Sequence, residues 1–492
     1  MLLLSRKIRI YANIKEVIKR GIMNFKTIFK SLKNKDMRKR ILAVVGLLIA
    51  YRILAHVPVP LGDTTTFKEA VDNLVKSTDL GGFINLISGG GLTSMSIILV
   101  GLSPYITASI FMQVLSKAIP QLEELDKDGE VGRRKINQWT RIIAVPLAII
   151  QSIAYIYIIT KEVLSIGTTD TVTLTTSGWI LGVTCMTAGS MLLMWVGELM
   201  TEQGIGNGTS TIILCSIIAN FPNTFAALIQ GLMDTSAGTL SMFGWFNLPV
   251  NPTYFWIILT LVAGLIVVLF LLVKVNEAQR IITINYAKRV HGNSAYGGVK
   301  SIMPIKLISA GVIPVIFAVS FLSIPSFIGQ LIQRKDATSQ IGQMLVKLFS
   351  APNANSFNAA TGLTWESYIY PACYFVLVIA FTYIYTSIVF NTQDYAESIQ
   401  KQGGFIEGVR PGKETEKYLR RIMNRLNLFG SVSLGLIALM PYIIDYISIN
   451  ILGTPLGLSI SGTGLLIVVT VAIDNLRSIN SRALMVTYDD YK

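Results

Sequence analysis

Gly408-Val409-Arg410-Pro411-Gly412-Lys413 comes nearest in this chain to a loop that could cradle phosphate. A P-loop needs four residues between its glycines and a Ser or Thr after the lysine. Here three intervene and Glu414 follows, so the stretch does not encode a nucleotide site. Gly204-Ile205-Gly206-Asn207-Gly208 is glycine-rich too, but it lacks the strand-turn-helix context of a dinucleotide site. The only histidines, His56 and His291, lie at the end of an apolar run and in a polar stretch. Cys185, Cys215 and Cys373 fall inside apolar segments without the spacing of a zinc site or disulfide framework. These residues predict no catalysis, no metal and no cofactor. What they offer is binding: Arg410 on a glycine-proline turn, Lys413, and the run Lys417, Arg420, Arg421 and Arg425 present cations that suit carboxylate or phosphate partners. For Arg420, Arg421 and Arg425, topology signalling and headgroup contact are an equal alternative.

The elements that must position these residues are membrane helices. The chain has 492 residues, 52% of them hydrophobic and 14% charged, with a net charge of +14. A helix needs roughly 20 apolar residues to cross a bilayer. The apolar runs predict ten spans, at Ile41–Val57, Ser96–Ser116, Trp139–Ile159, Trp179–Leu199, Thr209–Leu232, Tyr254–Lys274, Leu307–Ile332, Tyr368–Phe390, Leu428–Ile447 and Leu456–Leu476. With both termini in the cytoplasm, about 31 Lys and Arg fall inside and about 6 outside. Residues 1–40 form a basic cytoplasmic segment, 41–232 and 254–477 two halves of five spans, 233–253 an external connection, and 478–492 a cytoplasmic tail. The cytoplasmic loops 276–306 and 391–426 exceed the length of a mere connection, and such loops commonly carry function. Their basic character suits acidic partners, namely a protein, anionic lipid or RNA. Within the first segment, a basic amphipathic helix begins near Met23; residues 1–22 add no distinct element, so Met23 is the expected natural start.

One apolar segment is broken. Residues 80–94 contain Leu80 to Ile87, too short to span, followed by Ser88-Gly89-Gly90-Gly91. Broken backbone at membrane depth is tolerated where protein buries it or where it lines a water-filled cavity, so a pore or binding cavity is expected. A glycine-kinked helix in a compact bundle is the alternative. Five spans in each half give the halves opposite orientation, the arrangement of inverted repeats, although no sequence repeat accompanies it.

Several motifs in order resemble the SecY/Sec61-alpha family, the channel subunit of the protein translocon. They are Gly101-Leu102-Ser103-Pro104-Tyr105-Ile106-Thr107-Ala108-Ser109-Ile110, Gly197-Glu198 with Gly204 to Gly208, Ala310 to Ala318, and Gln402-Gly403-Gly404-Phe405-Ile406 with Gly408 to Lys413. The resemblance implies an all-α polytopic fold whose inverted halves surround a central pore. It implies a constriction formed by Leu102, Ile106, Thr209, Ile213, Ile316 and Ile467. All but Thr209 are aliphatic, which suits a seal that dewets and grips no substrate; Thr209 departs from the family's usual branched aliphatic residue. It implies a plug half-helix of Phe83, Ile84, Asn85, Leu86, Ile87, Ser88, Gly89, Gly90, Gly91 and Leu92. A lateral gate between the second and seventh spans would hold Thr107, Gln113, Ser320 and Ile324, with interhelical hydrogen bonds of about 0.6 kcal/mol each. Ile308 stands where the family commonly has an amide, so packing is expected to close the gate more than polar contacts do.

The same resemblance implies docking of a SecA motor or the ribosome on Arg280, Lys288, Arg289, Arg410, Lys413, Arg420, Arg421 and Arg425. The further partners it implies are small SecE-type and SecG-type subunits, signal-bearing precursor polypeptides and anionic lipids, at the cell membrane. The function it implies is passage of unfolded polypeptide and sideways release of membrane segments. A secondary transporter would instead require polar or ionisable residues at the midplane, yet Arg52, Glu198 and Asp474 lie toward span ends. An intramembrane protease would need a nucleophile-base pair, zinc ligands or paired aspartates, and His56 and His291 lie at a span end and in a loop; a translocon dedicated to few substrates is the alternative within the family.

Overall fold

A computed structural model of the chain describes residues 35–60, 94–165, 176–233, 240–242, 246–248, 251–286, 288–291, 294–297, 300–308, 311, 313–335, 339–349, 368–452 and 458–489. The expected plug, Phe83 to Leu92, and the expected start at Met23 lie outside the described residues.

Each predicted span falls on a helix. In chain order these are α1 (Lys35–Leu54), α2 (Ser103–Ala118), α4 (Glu130–Ser165), α5 (Thr176–Glu202), α6 (Gly208–Met233), α7 (Pro252–Glu277), α8 (Ile313–Lys335), α10 (Ile369–Val389), α12 (Lys413–Leu452) and α13 (Leu458–Asp489). Shorter helices are α3 (Pro120–Lys127), α9 (Gln340–Phe349) and α11 (Thr392–Lys401). Among the described residues, 6 helices are long and apolar enough to cross a membrane.

Three predicted boundaries move, each for a local reason. Residues 96–102 form turns rather than the first turns of α2, because Gly101 takes φ +63° and Pro104, which has no N–H to donate, sits in the first turn of the helix. Residues 307–308 bend out of a strand, so α8 begins at Ile313. At α12 the helix starts at Lys413, well before Leu428, because Glu414 and Glu416 favour its N-terminus and buried Leu419, Ile422 and Met423 give it an apolar face.

The fold is not wholly helical. The two long basic loops build an antiparallel sheet in the order β6-β3-β7, from β3 (Gln279–Tyr286), β6 (Lys300–Lys306) and β7 (Gly404–Ile406). Ile282 pairs with Met303, and Ile284 pairs with both Ser301 and Ile406. Buried Ile282, Ile284, Ile305 and Ile406 pack on Ala396 and Ile399 of α11 and on Leu419, Ile422 and Met423 of α12. Period-two burial along β3 places these isoleucines on one face, and charge counting alone does not reveal it. Two small hairpins, β1 (Leu240–Met242) with β2 (Phe246–Leu248) and β4 (Lys288–His291) with β5 (Ser294–Gly297), complete the strands.

The main apolar core draws on α1, α5, α6, α7, α8, α10, α12 and α13 and on Leu102. A second core joins Met95, Leu99 and Val100 of the turn segment to Ile156, Ile159 and Met186. Large apolar side chains on the outer helix faces remain exposed, such as Phe270 and Trp256 of α7, as the surface of a bilayer-embedded protein requires.

Candidate functional site

The proposed constriction residues come from four helices and one turn. Leu102, Ile213, Ile316 and Ile467 are all buried members of the main core, and half-buried Ile106 packs against it. Leu102 lies just before α2, Ile213 on α6, Ile316 on α8 and Ile467 on α13. The fold therefore brings residues far apart in the chain into one aliphatic cluster.

Thr209 is half-buried and differs from them in chemistry. It opens α6, where its hydroxyl donates to Asn207 Oδ1 at 2.6 Å and its methyl is the nearest atom that a side chain at Gly197 would meet. Its hydroxyl is thus satisfied by a partner at the helix start.

The turn leading into α2 is locked from behind by α5. A Cβ at Gly189 would overlap the carbonyl oxygen of Ile97, so only glycine admits this approach. The neighbouring Ser190 hydroxyl donates to the Gly101 carbonyl at 2.9 Å in a buried position. Together the small pair fixes the backbone that presents Leu102. Sequence reasoning missed these two residues, and their signal is a Gly-Ser pair inside an apolar span, where small residues permit close helix contact.

Helices α2 and α8 touch, as the expected gate requires. Two of the polar side chains along it bond within their own helix. Thr107 Oγ1 donates to the Ser103 carbonyl at 3.0 Å, and Gln113 Nε2 donates to Ser109 Oγ at 3.0 Å, both within α2. The Ser320 carbonyl accepts from Ser323 within α8, and Ile324 is 47% exposed on the outer face. The Thr107 and Gln113 donors both find a partner one turn away at no cost in helix separation, while Gln113 Oε1 is buried without a hydrogen-bond partner. Ile308, where an amide was the family expectation, is buried in the main core.

Helix α13 joins the main core to the glycine-rich turn and to the elements around the three-stranded sheet. Its Asn475 donates to Thr211 Oγ1 at 3.1 Å and fills the space beside Gly206, while Arg482 lies against Gly204. Gly204 and Gly206 have φ of +70° and +134°, so the glycine-rich turn is a conformational need and a docking surface for α13. Arg477 donates to Asn276 Oδ1 and to the Asn276 carbonyl, each at 3.1 Å, and lies 3.7 Å from Asp474 Oδ1. Lys306 at the end of β6 approaches the same carboxylate at 4.0 Å. Burial, reinforced by nearby Arg477 and opposed by Asp474, holds the Lys306 ammonium below its ordinary pKa. Glu198 and Arg141 form a forked pair at 2.8 Å on both arms, tying α5 to α4.

The basic residues divide by partner. Arg280, Arg410, Lys413, Arg420, Arg421 and Arg425 are exposed. Lys417 pairs with Glu414 and Arg420 with Glu416 along α12. Arg280, Arg410, Lys413, Arg421 and Arg425 have no ion-pair partner among the described residues. Arg410 rides a turn flanked by Gly408 and Gly412 at φ +81° and +99°, and its carbonyl accepts the Thr415 hydroxyl at 2.9 Å. That turn projects from the sheet-and-helix unit as a fixed tip. Lys288 and Arg289 lie on the backbone of β4.

Comparison with known proteins gives concordant results. The sequence pattern of the SecY family matches residues 96–476. The protein translocase subunit SecY of Streptomyces coelicolor is 35% identical over 469 residues, covering 94% of this chain and 98% of that protein. Its counterpart from Mycobacterium bovis is 35% identical over 466 residues with the same coverage. Among solved structures, a SecY protein studied for its plug domain aligns with a TM-score of 0.55 at 18% identity, covering 88% of this chain and 91% of the other. A protein-conducting channel aligns with a TM-score of 0.54 at 18% identity over 89% and 91%. Sec61 from a canine ribosome-channel complex aligns with a TM-score of 0.51 at 17% identity over 89% and 91%.

Proposed function

The chain belongs to the SecY family, and from that premise we propose that it forms the polypeptide-conducting channel of a Sec translocase. It is a multi-pass membrane protein and a channel subunit, not an enzyme. The observation that carries the detailed reading is the aliphatic cluster of Leu102, Ile106, Ile213, Ile316 and Ile467. A channel that passes any unfolded sequence must not hold it by specific hydrogen bonds, and a narrow apolar ring excludes ions by dewetting when empty. This cluster meets both demands.

In this reading ten spans in two inverted halves surround the ring, with both termini in the cytoplasm of a cell whose plasma membrane houses the channel. Residues 83–92 form a plug, sealing the external side until a precursor displaces it. Helices α2 and α8 part to release membrane segments into lipid, and their largely intrahelical hydrogen bonding favours a seam closed by packing. The sheet-and-helix unit bearing Arg280, Arg410, Lys413, Arg421 and Arg425 receives a SecA motor or the ribosome, each rich in carboxylate or phosphate. Small SecE-type and SecG-type subunits, precursor polypeptides and anionic lipids are the remaining partners.

The test is protease protection of a labelled secretory precursor in liposomes holding this chain and a SecE-type partner. Protection that needs both SecA and ATP supports the reading. Absence of protection by a folded, correctly inserted protein counts against it and turns attention to solute uptake.

A further inference from the structure

Helix α9 has three distinct stripes. It starts at Ser339, whose hydroxyl accepts from the Gly342 N–H at 3.4 Å, and it runs for 10 residues. Its first stripe, Gly342, Leu345 and Val346, packs on the end of α8. A Cβ at Gly329 of α8 would stand 2.8 Å from Leu345 Cβ and 3.1 Å from the Gly342 carbonyl oxygen, and one at Gly342 would stand 3.0 Å from Gln333 Cγ. Glycine on both sides lets the backbones approach this closely, so α9 is held to α8 without room for a side chain between them.

The other two stripes face outward and differ in chemistry. Ile341 and Met344, one turn apart, are 68% and 59% exposed, and half-buried Leu348 extends their line. Gln340, Gln343 and Lys347 form a second exposed line beside it. On α8, exposed Phe321, Ile324 and Ile328 make an apolar stripe that ends one residue before Gly329, where α9 docks. Apolar, polar and protein-contacting stripes on one short helix suit a position at the boundary between hydrocarbon and water. The stretch Ile313–Gln330 of α8 is long and apolar enough to cross a membrane, so α9, docked at Gly329, sits at the end of that span, where lipid rather than a protein groove is the occupant of its exposed apolar line.

We propose that α9 is an interfacial helix that inserts Ile341 and Met344 among the outer lipids at the external end of α8, with Gln340, Gln343 and Lys347 toward water and headgroups. The inference rests on the reading of α8 as a membrane span whose C-terminal end is external. Because α8 is also the gate helix of that reading, the lipid surface would hold the outer end of the gate through α9.

The test uses the full chain with its small partner in proteoliposomes. Bimane is attached at Ile341→Cys, Met344→Cys or Gln343→Cys, each in a background with Cys185, Cys215 and Cys373 replaced by Ser and shown to transport precursor. Lipid-borne nitroxide at the shallow acyl level should quench emission at positions 341 and 344, and aqueous iodide should quench it at 343. Strong iodide quenching at 341 and 344 would overturn the proposal, as would protection of both positions from iodide and nitroxide alike, which would mean a protein cover. If the cysteine-free background does not fold, Met344→Trp in the otherwise unchanged chain is tested with brominated lipid. Loss of the added tryptophan emission is then expected, and unchanged emission overturns the proposal. The transport assay is separate, so a failed channel reading is distinguishable from a failed lipid contact.

Discussion

Replacing Ile467 with Asn, alone and together with Ile106→Asn, separates a gating ring from an ordinary core. Ile467 is 6% exposed within the main cluster. Removing a fully buried aliphatic side chain of this size forfeits about 1.5–3 kcal/mol of burial. If the site is ordinary packing, the new amide is also left without partners, costing about 1–3 kcal/mol more. A loss of about 2.5–6 kcal/mol is a large part of the stability of a typical domain, and its upper end belongs to the severe class of substitutions. In a ring around a closed pore, water follows the amide into the constriction. The orphaning cost then disappears, and the dewetting barrier falls with it. The account therefore predicts a modest fall in thermal stability with a clear rise in resting ion conductance, larger for the double variant. Planar-bilayer recordings, alongside thermal unfolding of the same purified protein, read both quantities. Severe destabilisation with unchanged conductance would refute the ring.

Other perturbations address the remaining parts of the account. Arg410→Glu should abolish motor-driven transport while leaving insertion of the channel in the membrane intact; normal transport by this variant would remove the docking assignment. Ser190→Ala leaves the buried Gly101 carbonyl without its 2.9 Å donor and should cost about 1–3 kcal/mol in thermal unfolding, whereas Gly189→Val drives a side chain into the Ile97 carbonyl and should cost more. Asp474→Asn leaves Lys306 facing Arg477 without the carboxylate, lowering the Lys306 pKa further. The variant should be less stable at neutral pH and regain stability as pH rises from the lowered folded pKa toward the ordinary 10.5, because the unfolded chain binds more protons in that window. Stability that falls over this window, measured by thermal unfolding at several pH values, would contradict the assignment.

The helices were legible because long apolar runs announce themselves, and every predicted span meets one. Their ends were less so: the start of α2 depends on the positive φ of Gly101 and the contact of Ser190, a residue distant in sequence. The three-stranded sheet is not legible in the sequence because basic residues dominate loops 276–306 and 391–426, while its core rests on a few alternating isoleucines from segments more than a hundred residues apart. At the site, the five aliphatic residues that the resemblance named belong to or pack against one apolar core. Thr209 follows instead the local chemistry of a helix start, with Asn207 as its partner. Thr107 and Gln113 of the seam bond within α2, a choice between near and far partners that residue type does not decide.

Crosslinking of a stalled precursor is the most direct test of the central claim. A photoreactive residue placed singly at Ile106, Ile213, Ile316 or Ile467 should capture a translocating chain with little dependence on the precursor's sequence, while the same probe at lipid-facing Phe270, 61% exposed on α7, should capture none. Equal capture at Phe270, or none at any ring position during active transport, would contradict the account.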